Sequence, residues 1–399
     1  MNTHVRPTAG VNLTALRGHN AALVLDLLRT AGEAGISRLE IAERTGLTPQ
    51  AVSKITARLR GEGLAVEAGR RASTGGKPRT VLRLVAGAGY AVGLHLDRDE
   101  LRAVLTDLAG TVVAARCSPL DLGAGADAVL SATACEVDAL LDAGAAASGR
   151  GAEARGEGKG GAAVLGVGVA VPGPLDHADG VLHRVTGFPQ WDGFPLRDAL
   201  AERLGLPVVV DKDTNAAALG LALEGAAGDG ERSFAYLHLG TGLGAGLVLG
   251  GALYRGARTG AGEFGHQVIQ LDGPLCDCGN RGCVEALCLA AVAGATDGDD
   301  ADHGSGLDEA ARVLGEGAGN LVGLLDIDAV LLGGRTVLAA EERFVRGVAR
   351  VLDARARREG GGPPVPVRAA PGGATLVVEG AAQLILAPLF GRGRAASPS

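Results

Sequence analysis

The chain has no long apolar run. Its longest apolar stretches, such as Leu243 to Leu253, are interrupted by glycines and fall short of the roughly 20 residues a membrane-spanning helix needs. The start, Met1 to Leu13, lacks the apolar core of a secretion signal, so neither export nor a membrane span is expected. Aromatic residues are only 3% of the 399, which leaves a globular chain rich in Ala, Gly, Leu and Val and says little about its task. That length points to two or three domains. Cysteine is scarce, with six in all. Three are clustered at metal-ligand spacing, which in a chain without an export signal points to a reducing cytoplasm.

Those three belong to the most informative segment, His266-x9-Cys276-x-Cys278-x4-Cys283, with Glu285 two residues later. Three thiolates and one neutral imidazole suit a tetrahedral zinc, and four protein ligands would leave no open position for water. The zinc would therefore be structural. Buried free cysteines and a core histidine are the alternative, but Asp277, Gly279, Asn280 and Gly282 make a polar, glycine-turned knuckle that a hydrophobic core does not need. Cys117, Cys135 and Cys288 are read as cysteines of that buried, free kind.

The net charge of −7 looks unsuited to nucleic acid until it is split. Residues 1–85 carry 13 Lys/Arg against six Asp/Glu, about +7, which leaves about −14 on the remainder. A basic head on an acidic body suggests two different partners. In the head, Leu23, Val24, Leu27 and Leu28 form a helical stripe within Leu16 to Thr30. Ser37-Arg38-Leu39-Glu40 is a capping box opening a helix that runs to Thr45 and is broken by Gly46. Thr48 and Pro49 supply an N-cap and a first-turn proline for a third helix to about Arg60. Val52, Ile55 and Leu59 face inward on it; Gln50, Ser53, Lys54, Ala57 and Arg58 face out. That short, polar, basic face suits a major groove about 12 Å wide. Gly63 to Val66 begins a strand paired with Thr80 to Val85, and the basic stretch Arg70 to Arg79 between them reads as a wing. A winged helix-turn-helix follows, with Thr48, Gln50, Ser53, Lys54, Arg58, Arg70, Arg71, Lys77 and Arg79 as candidate contacts to double-stranded DNA.

After Val85, strands alternate with helices: a hairpin over Tyr90–Leu96 and Leu101–Asp107, a helix over Ala128–Leu141, and strands at Val164–Val171, Val208–Val210, Phe234–Leu239, Ala245–Leu249 and Ala329–Leu332. Ala143 to Ala163 has no apolar period and is expected to be a disordered insertion. Gly380 is expected to open a last helix, and the tail from Arg392 to lack structure.

Five motifs give the chain a resemblance to a known family: Val171-Pro172-Gly173-Pro174, Asp213-Thr214-Asn215-Ala216-Ala217, Gly240-Thr241-Gly242-Leu243-Gly244, Gly262-Glu263-Phe264-Gly265-His266, and the cysteine knuckle ending in Glu285. The chain resembles the ROK family of repressors and sugar kinases from Leu16 to about Leu389, and its basic head matches the repressor branch. The resemblance implies an α/β, actin-like and hexokinase-like two-lobed ATPase fold, with self-association into dimers or tetramers. The expected units are 1–85, the winged head; 86–213, a first lobe with the insertion near 143–163 and completed by helix 380–391; and 214–379, a second lobe with the zinc site. In family kinases the residue matching Asp213 is the general base, and those matching Glu263, His266 and Glu285 bind sugar hydroxyls, His266 also ligating zinc.

Two departures from the kinase pattern matter. Where kinases carry Asp-x-Gly-Gly-Thr, this chain reads His95-Leu96-Asp97-Arg98-Asp99, without the glycines that cradle phosphates and with carboxylates expected to repel them. Lys212 and Gly187 replace two asparagines of the sugar pocket. Lys212 either neutralises Asp211 or Asp213 across a short turn or recognises an anionic group on a ligand, and Gly187 would leave room for a substituent. The expectation is a regulator, most readily a repressor, without catalytic activity, its grip on DNA altered by a small carbohydrate-like ligand. A sugar kinase with an added head and a ligand-less regulator are the alternatives.

Overall fold

A computed structural model describes residues 18–71, 79–147, 163–185, 187–228, 230–296, 300–360 and 362–392. The head opens with α1 (His19–Thr30), which buries Ala21, Val24, Leu25 and Leu28. A short strand β1 (Ile36–Ser37) runs into α2 (Arg38–Thr45). The capping box forms as read: the Ser37 hydroxyl accepts from the Glu40 N–H and the Glu40 carboxylate accepts from the Ser37 N–H. Gly46, at φ 70°, ends the helix in left-handed backbone. Thr48 then caps α3 (Pro49–Gly61) by accepting from the Ala51 N–H at 3.3 Å.

The wing hairpin is β2 (Ala65–Arg71) with β3 (Arg79–Leu84), and β1 pairs with β3, Ile36 opposite Leu82. The sequence gives no sign of β1, because two residues cannot display alternation. Lys77 and the wing tip lie outside the described residues, as do the side chains of Arg70 and Arg71.

Two five-stranded sheets form the body. The first contains β4 (Gly89–Leu96), β5 (Glu100–Asp107), β6 (Val112–Pro119), β7 (Ala163–Val171) and, after the small β8 (Leu175–Asp176)–β9 (Val181–Leu182) pair, β10 (Val208–Lys212). Their order is β10-β7-β4-β5-β6, with β4, β7 and β10 parallel and β4–β5–β6 antiparallel. The helices α4 (Ala126–Ala147) and α5 (Leu196–Leu204) join its core. The expected insertion starts too early, since α4 runs on through Ala143–Ala147; residues 148–162 lie outside the described residues.

The second half begins with α6 (Asp213–Glu224), β11 (Phe234–Leu239), β12 (Leu243–Leu249) and β13 (Ala252–Leu253). It continues with α7 (Val284–Thr296), α8 (Asp300–Leu325), β14 (Ala329–Gly333), α9 (Arg335–Ala339), α10 (Glu341–Arg358) and β15 (Val367–Ala369). The sheet order is β13-β12-β11-β14-β15.

The last helix, α11 (Leu376–Leu386), begins four residues before Gly380. Gly380 lies inside the helix because a Cβ there would sit 2.0 Å from the Ala216 carbonyl oxygen of α6, and at Gly168 of β7 a Cβ would meet the Ala381 oxygen at 1.9 Å. Helix, sheet and α6 therefore pack backbone to backbone, which outweighs the helix-interior cost of glycine of about 1 kcal/mol. The apolar stretch Gly373–Phe390 has the length and composition of a membrane span, yet it is mostly buried here as a core helix.

The same helix and the turn after it (Ala387–Phe390) join head to body. One apolar core contains Val24, Leu25, Leu28 and Leu82 of the head, Ala91, Val104 and Leu165 of the first sheet, and Val378, Leu386, Leu389 and Phe390. Arg392 pairs with Asp26 at 2.7 Å, and the Arg29 guanidinium lies 5.1 Å from the centre of the Phe390 ring. The head is thus seated on the body rather than tethered.

Candidate functional site

Asp213, Glu263, His266 and Glu285 come from three separate segments, and the fold brings them to one cleft of about 90 Å3, shared with Asp97, Arg98, Lys212 and the Thr241–Gly244 turn. Each is placed by backbone. Asp213 is the first residue of α6, and its carboxylate accepts from the Thr214 N–H at 2.6 Å. Glu285 lies in the first turn of α7 and accepts from the Leu243 N–H at 2.7 Å, which ties it to the glycine turn between β11 and β12. Glu263 follows Gly262, whose φ of 85° and contact with the Ala245 carbonyl, 1.9 Å from a would-be Cβ, exclude any side chain there.

Burial, reinforced by the carboxylates of Asp97 and Glu263, raises Asp213 to about 7, and the Thr214 N–H and Lys212 only partly offset it. At neutral pH this carboxyl is divided between a proton acceptor and a hydrogen-bond donor. Burial also holds His238 neutral, lowered to about 4, with its Nδ1 2.9 Å from the Tyr236 hydroxyl.

Lys212 has a partner that neither expectation named. Its Nζ lies 3.0 Å from Glu263 Oε1 and also donates to the Ala261 carbonyl; the side chain is only 3% exposed. Asp211 is satisfied elsewhere, by Arg255 at 2.7 Å and the Asn215 amide at 2.8 Å. One Glu263 oxygen is therefore already engaged. The room left by Gly187 is bordered by Arg98, whose guanidinium stands 5.4 Å from the Phe188 ring centre and whose Nη1 would lie 3.3 Å from a Cβ at residue 187.

Asp97 and Asp99 also differ from expectation. Both are held by Arg335 of α9, at 2.9 Å and 2.8 Å, so they face a guanidinium and do not act as a bare anionic screen. The hydrogen bond from Arg335 keeps Asp99 below the usual carboxylate range. This triad bridges the β4–β5 turn of the first sheet and the start of α9 beyond the second. It borders a second cavity of about 280 Å3, walled by His95, His238, Gly334, Leu338 and Val377. Nothing in the sequence distinguishes Arg335 except its place after Gly333-Gly334 at a strand end.

Beside the cleft, the ligand atoms of His266, Cys276, Cys278 and Cys283 all lie within 4.8 Å of one another. The His266 Nδ1–Cys276 Sγ and Cys278 Sγ–Cys283 Sγ separations are both 3.7 Å. Ligands at about 2.3 Å from a tetrahedral centre would stand about 3.8 Å apart, so the cluster can hold a metal ion. Cys288 is buried, as expected, but Cys117 and Cys135 are exposed, because β6 and α4 turn them outward.

On α3, Val52 and Leu59 are fully buried and Gln50, Ser53, Lys54, Ala57 and Arg58 exposed, as are Thr48 and Arg79. Arg58 and Arg60 make ion pairs with Glu62 and Glu67, at 3.9 Å and 3.1 Å.

Winged head, paired α/β sheets with a cleft, and cysteine cluster together define a hexokinase-like body carrying a DNA-binding module. The ROK family pattern matches residues 155–387 and a winged helix-turn-helix DNA-binding pattern residues 24–65; the chain belongs to the ROK family, in its branch with an N-terminal winged head. It is 31% identical over 250 residues to the xylose repressor of Bacillus subtilis, covering 63% of this chain and 61% of that one. It is 30% identical over 285 residues to the DNA-binding transcriptional dual regulator NagC of Escherichia coli, covering 70% and 65%. These matches span about three fifths of the relatives' length. A ROK family transcriptional regulator described as a homologue of the E. coli MLC protein shares the fold over 94% of this chain and 97% of its own, with a TM-score of 0.73 at 22% identity. A ROK glucokinase of Streptomyces griseus, solved with glucose and AMPPNP, aligns over 74% of this chain and 99% of its own at 27% identity and a TM-score of 0.59.

Proposed function

We propose that the protein is a cytoplasmic, ligand-responsive DNA-binding regulator, a repressor of carbohydrate-related genes, and not a sugar kinase. The observation that carries this is the seating of the head on the C-terminal segment: α11 begins beside the second cavity, which Val377 lines, and the turn that follows it holds Phe390 and Arg392 against α1. A change in lobe closure would move the heads with it and alter their spacing on a two-fold operator. In this reading Gln50, Ser53 and Lys54 read base edges. Thr48, Arg58, Arg70, Arg71, Lys77 and Arg79 contact phosphate or the minor groove.

Asp213, Glu263, His266 and Glu285 hold ring hydroxyls of a sugar-like ligand, while His266, Cys276, Cys278 and Cys283 hold one structural zinc that fixes the loop carrying His266. The relatives named as repressors support the assignment, and the Arg335–Asp97–Asp99 bridge at the place of a phosphate cradle argues against phosphoryl transfer. The Lys212–Glu263 pair favours a second reading, a regulator whose body has lost its ligand. A thermal-shift screen against neutral sugars, sugar phosphates and sugar acids separates the two. Stabilisation by a sugar, abolished in Glu285→Gln, supports the ligand-responsive reading; no shift with any of them sinks it.

A further inference from the structure

Lysine and arginine contribute two side chains to the cleft that holds Asp213, Glu263, His266 and Glu285: Lys212 and Arg98. Lys212 is spent, buried against Glu263 and the Ala261 carbonyl. Arg98 is half-buried, and among the described residues its guanidinium has no ion-pair or hydrogen-bond partner. It lies instead 5.4 Å from the centre of the Phe188 ring.

That guanidinium is held in place from behind. Arg98 sits in the β4–β5 turn, where its N–H donates to the Asp97 carboxylate at 2.8 Å and its carbonyl accepts from the Leu122 N–H at 3.1 Å. Asp97 is itself clamped by Arg335. The ring is fixed too: the Phe188 N–H donates to the Val185 carbonyl at 2.9 Å, and a Cβ at Gly123 would lie 3.4 Å from the ring edge. An arginine stacked on an aromatic face keeps its N–H edge free for other partners. Beside that edge residue 187 contributes no side chain. A Cβ there would stand 3.3 Å from Arg98 Nη1, and its φ of 85° is left-handed backbone that suits glycine. Opposing charge in the cleft is muted as well. Glu263 is paired with Lys212, Asp97 with Arg335, and burial raises Asp213 to about 7.

We infer that Arg98, backed by Phe188 and given room by Gly187, is an anion subsite of the cleft, and that the effector is a sugar bearing a phosphate ester or a carboxylate. The inference rests on the reading of Asp213, Glu263, His266 and Glu285 as holders of ring hydroxyls. It moves the recognition of an anion from Lys212, which is engaged, to Arg98, which is not. A planar guanidinium offers two parallel N–H donors that match two oxygens of either group. Arg98 is thereby a specificity-determining residue, since a neutral sugar leaves it facing water alone.

Calorimetry on the full-length protein tests it, with glucose against glucose 6-phosphate and against glucuronate, and N-acetylglucosamine against its 6-phosphate. In wild type at least one anionic member is expected to bind about tenfold tighter than its neutral partner, the gain of one charge-assisted contact. Whether the phosphate or the carboxylate arm shows the gap identifies the group. Arg98→Gln is expected to close the gap. Arg98→Lys is expected to keep part of it, because lysine retains the charge without the planar fork. Gly187→Asn, a residue that tolerates left-handed backbone, is expected to narrow the gap with Arg98 intact. Equal affinity within every pair, a gap that survives Arg98→Gln, or no binding of any anionic probe overturns the inference. Neutral sugars that bind without a gap and are lost in Glu285→Gln would defeat the anion subsite and leave the ligand-responsive reading standing. No binding by any probe would defeat both.

Discussion

Replacing Asp213 with asparagine should stabilise the protein in a pH-dependent way. The carboxyl is raised to about 7 by burial, whereas in the unfolded chain it titrates near the model value of 3.8. Below pH 3.8 both states are protonated and the group is neutral in the balance. Between 3.8 and 7 the unfolded chain ionises while the folded one holds its proton, so stability falls by about 1.4 kcal/mol per pH unit. Above 7 the loss is complete. Asparagine keeps an oxygen for the Thr214 N–H and cannot ionise, so it escapes that loss. Across the window from pH 5.5 to 8.0, Asp213→Asn should therefore gain about 2 kcal/mol on wild type. Urea denaturation at pH 5.5, 6.5, 7.5 and 8.0 follows it, with the difference between the two proteins as the observable. Metal loss and other titrations affect both and cancel. A difference flat to within about 0.5 kcal/mol over this range would mean that Asp213 is an ordinary ionised carboxylate and that the cleft does not desolvate it.

Three further outcomes are expected. Elemental analysis should find one zinc per chain in the wild type and none in Cys278→Ser, which should also lose soluble protein, because structural sites of this kind contribute folding free energy; stoichiometric zinc in a triple Cys→Ser variant would refute it. Phe390→Ala should cost about 3–5 kcal/mol and Arg392→Ala about 1 kcal/mol or less. Both should speed hydrogen exchange in α1 while leaving zinc content unchanged, and unaltered exchange would show that the head is not seated through the C-terminus. Substitution of Gln50, Ser53 or Lys54 by alanine should cost on the order of 1–3 kcal/mol of operator binding and relax specificity, whereas Arg58→Ala should lower the salt slope by about one. Equal losses on specific and random DNA would reverse those roles.

What was legible in the sequence is what is local. Ser37 with Glu40, Gly46, and Thr48 with Pro49 each set a helix end through hydrogen bonds or backbone preferences spanning three or four residues, so the head could be read directly. The metal cluster was legible because three of its four ligands fall within eight residues of one another. The bringing together of Asp213, Glu263, His266 and Glu285 came from motif resemblance, not from any local rule. What was not legible depends on contacts far apart in the chain. Lys212 turns to Glu263 across 51 positions, and Arg335 reaches Asp99 across 236. Nor could composition show that Gly380 sits inside a helix, since only the approach of Ala216 makes a glycine necessary there. The alanine-rich end of α4 carries no apolar period, and that hid its last turns.

The most direct test of the account is selection of DNA from a random pool by the full-length protein, repeated with any sugar that stabilises it in the thermal-shift screen. The account predicts enrichment of an inverted repeat with half-sites a whole number of helical turns apart, lost in Gln50→Ala/Lys54→Ala and released by the sugar in wild type but not in Glu285→Gln. No enriched sequence, or an enriched sequence indifferent to both the α3 substitutions and the sugar, would contradict it.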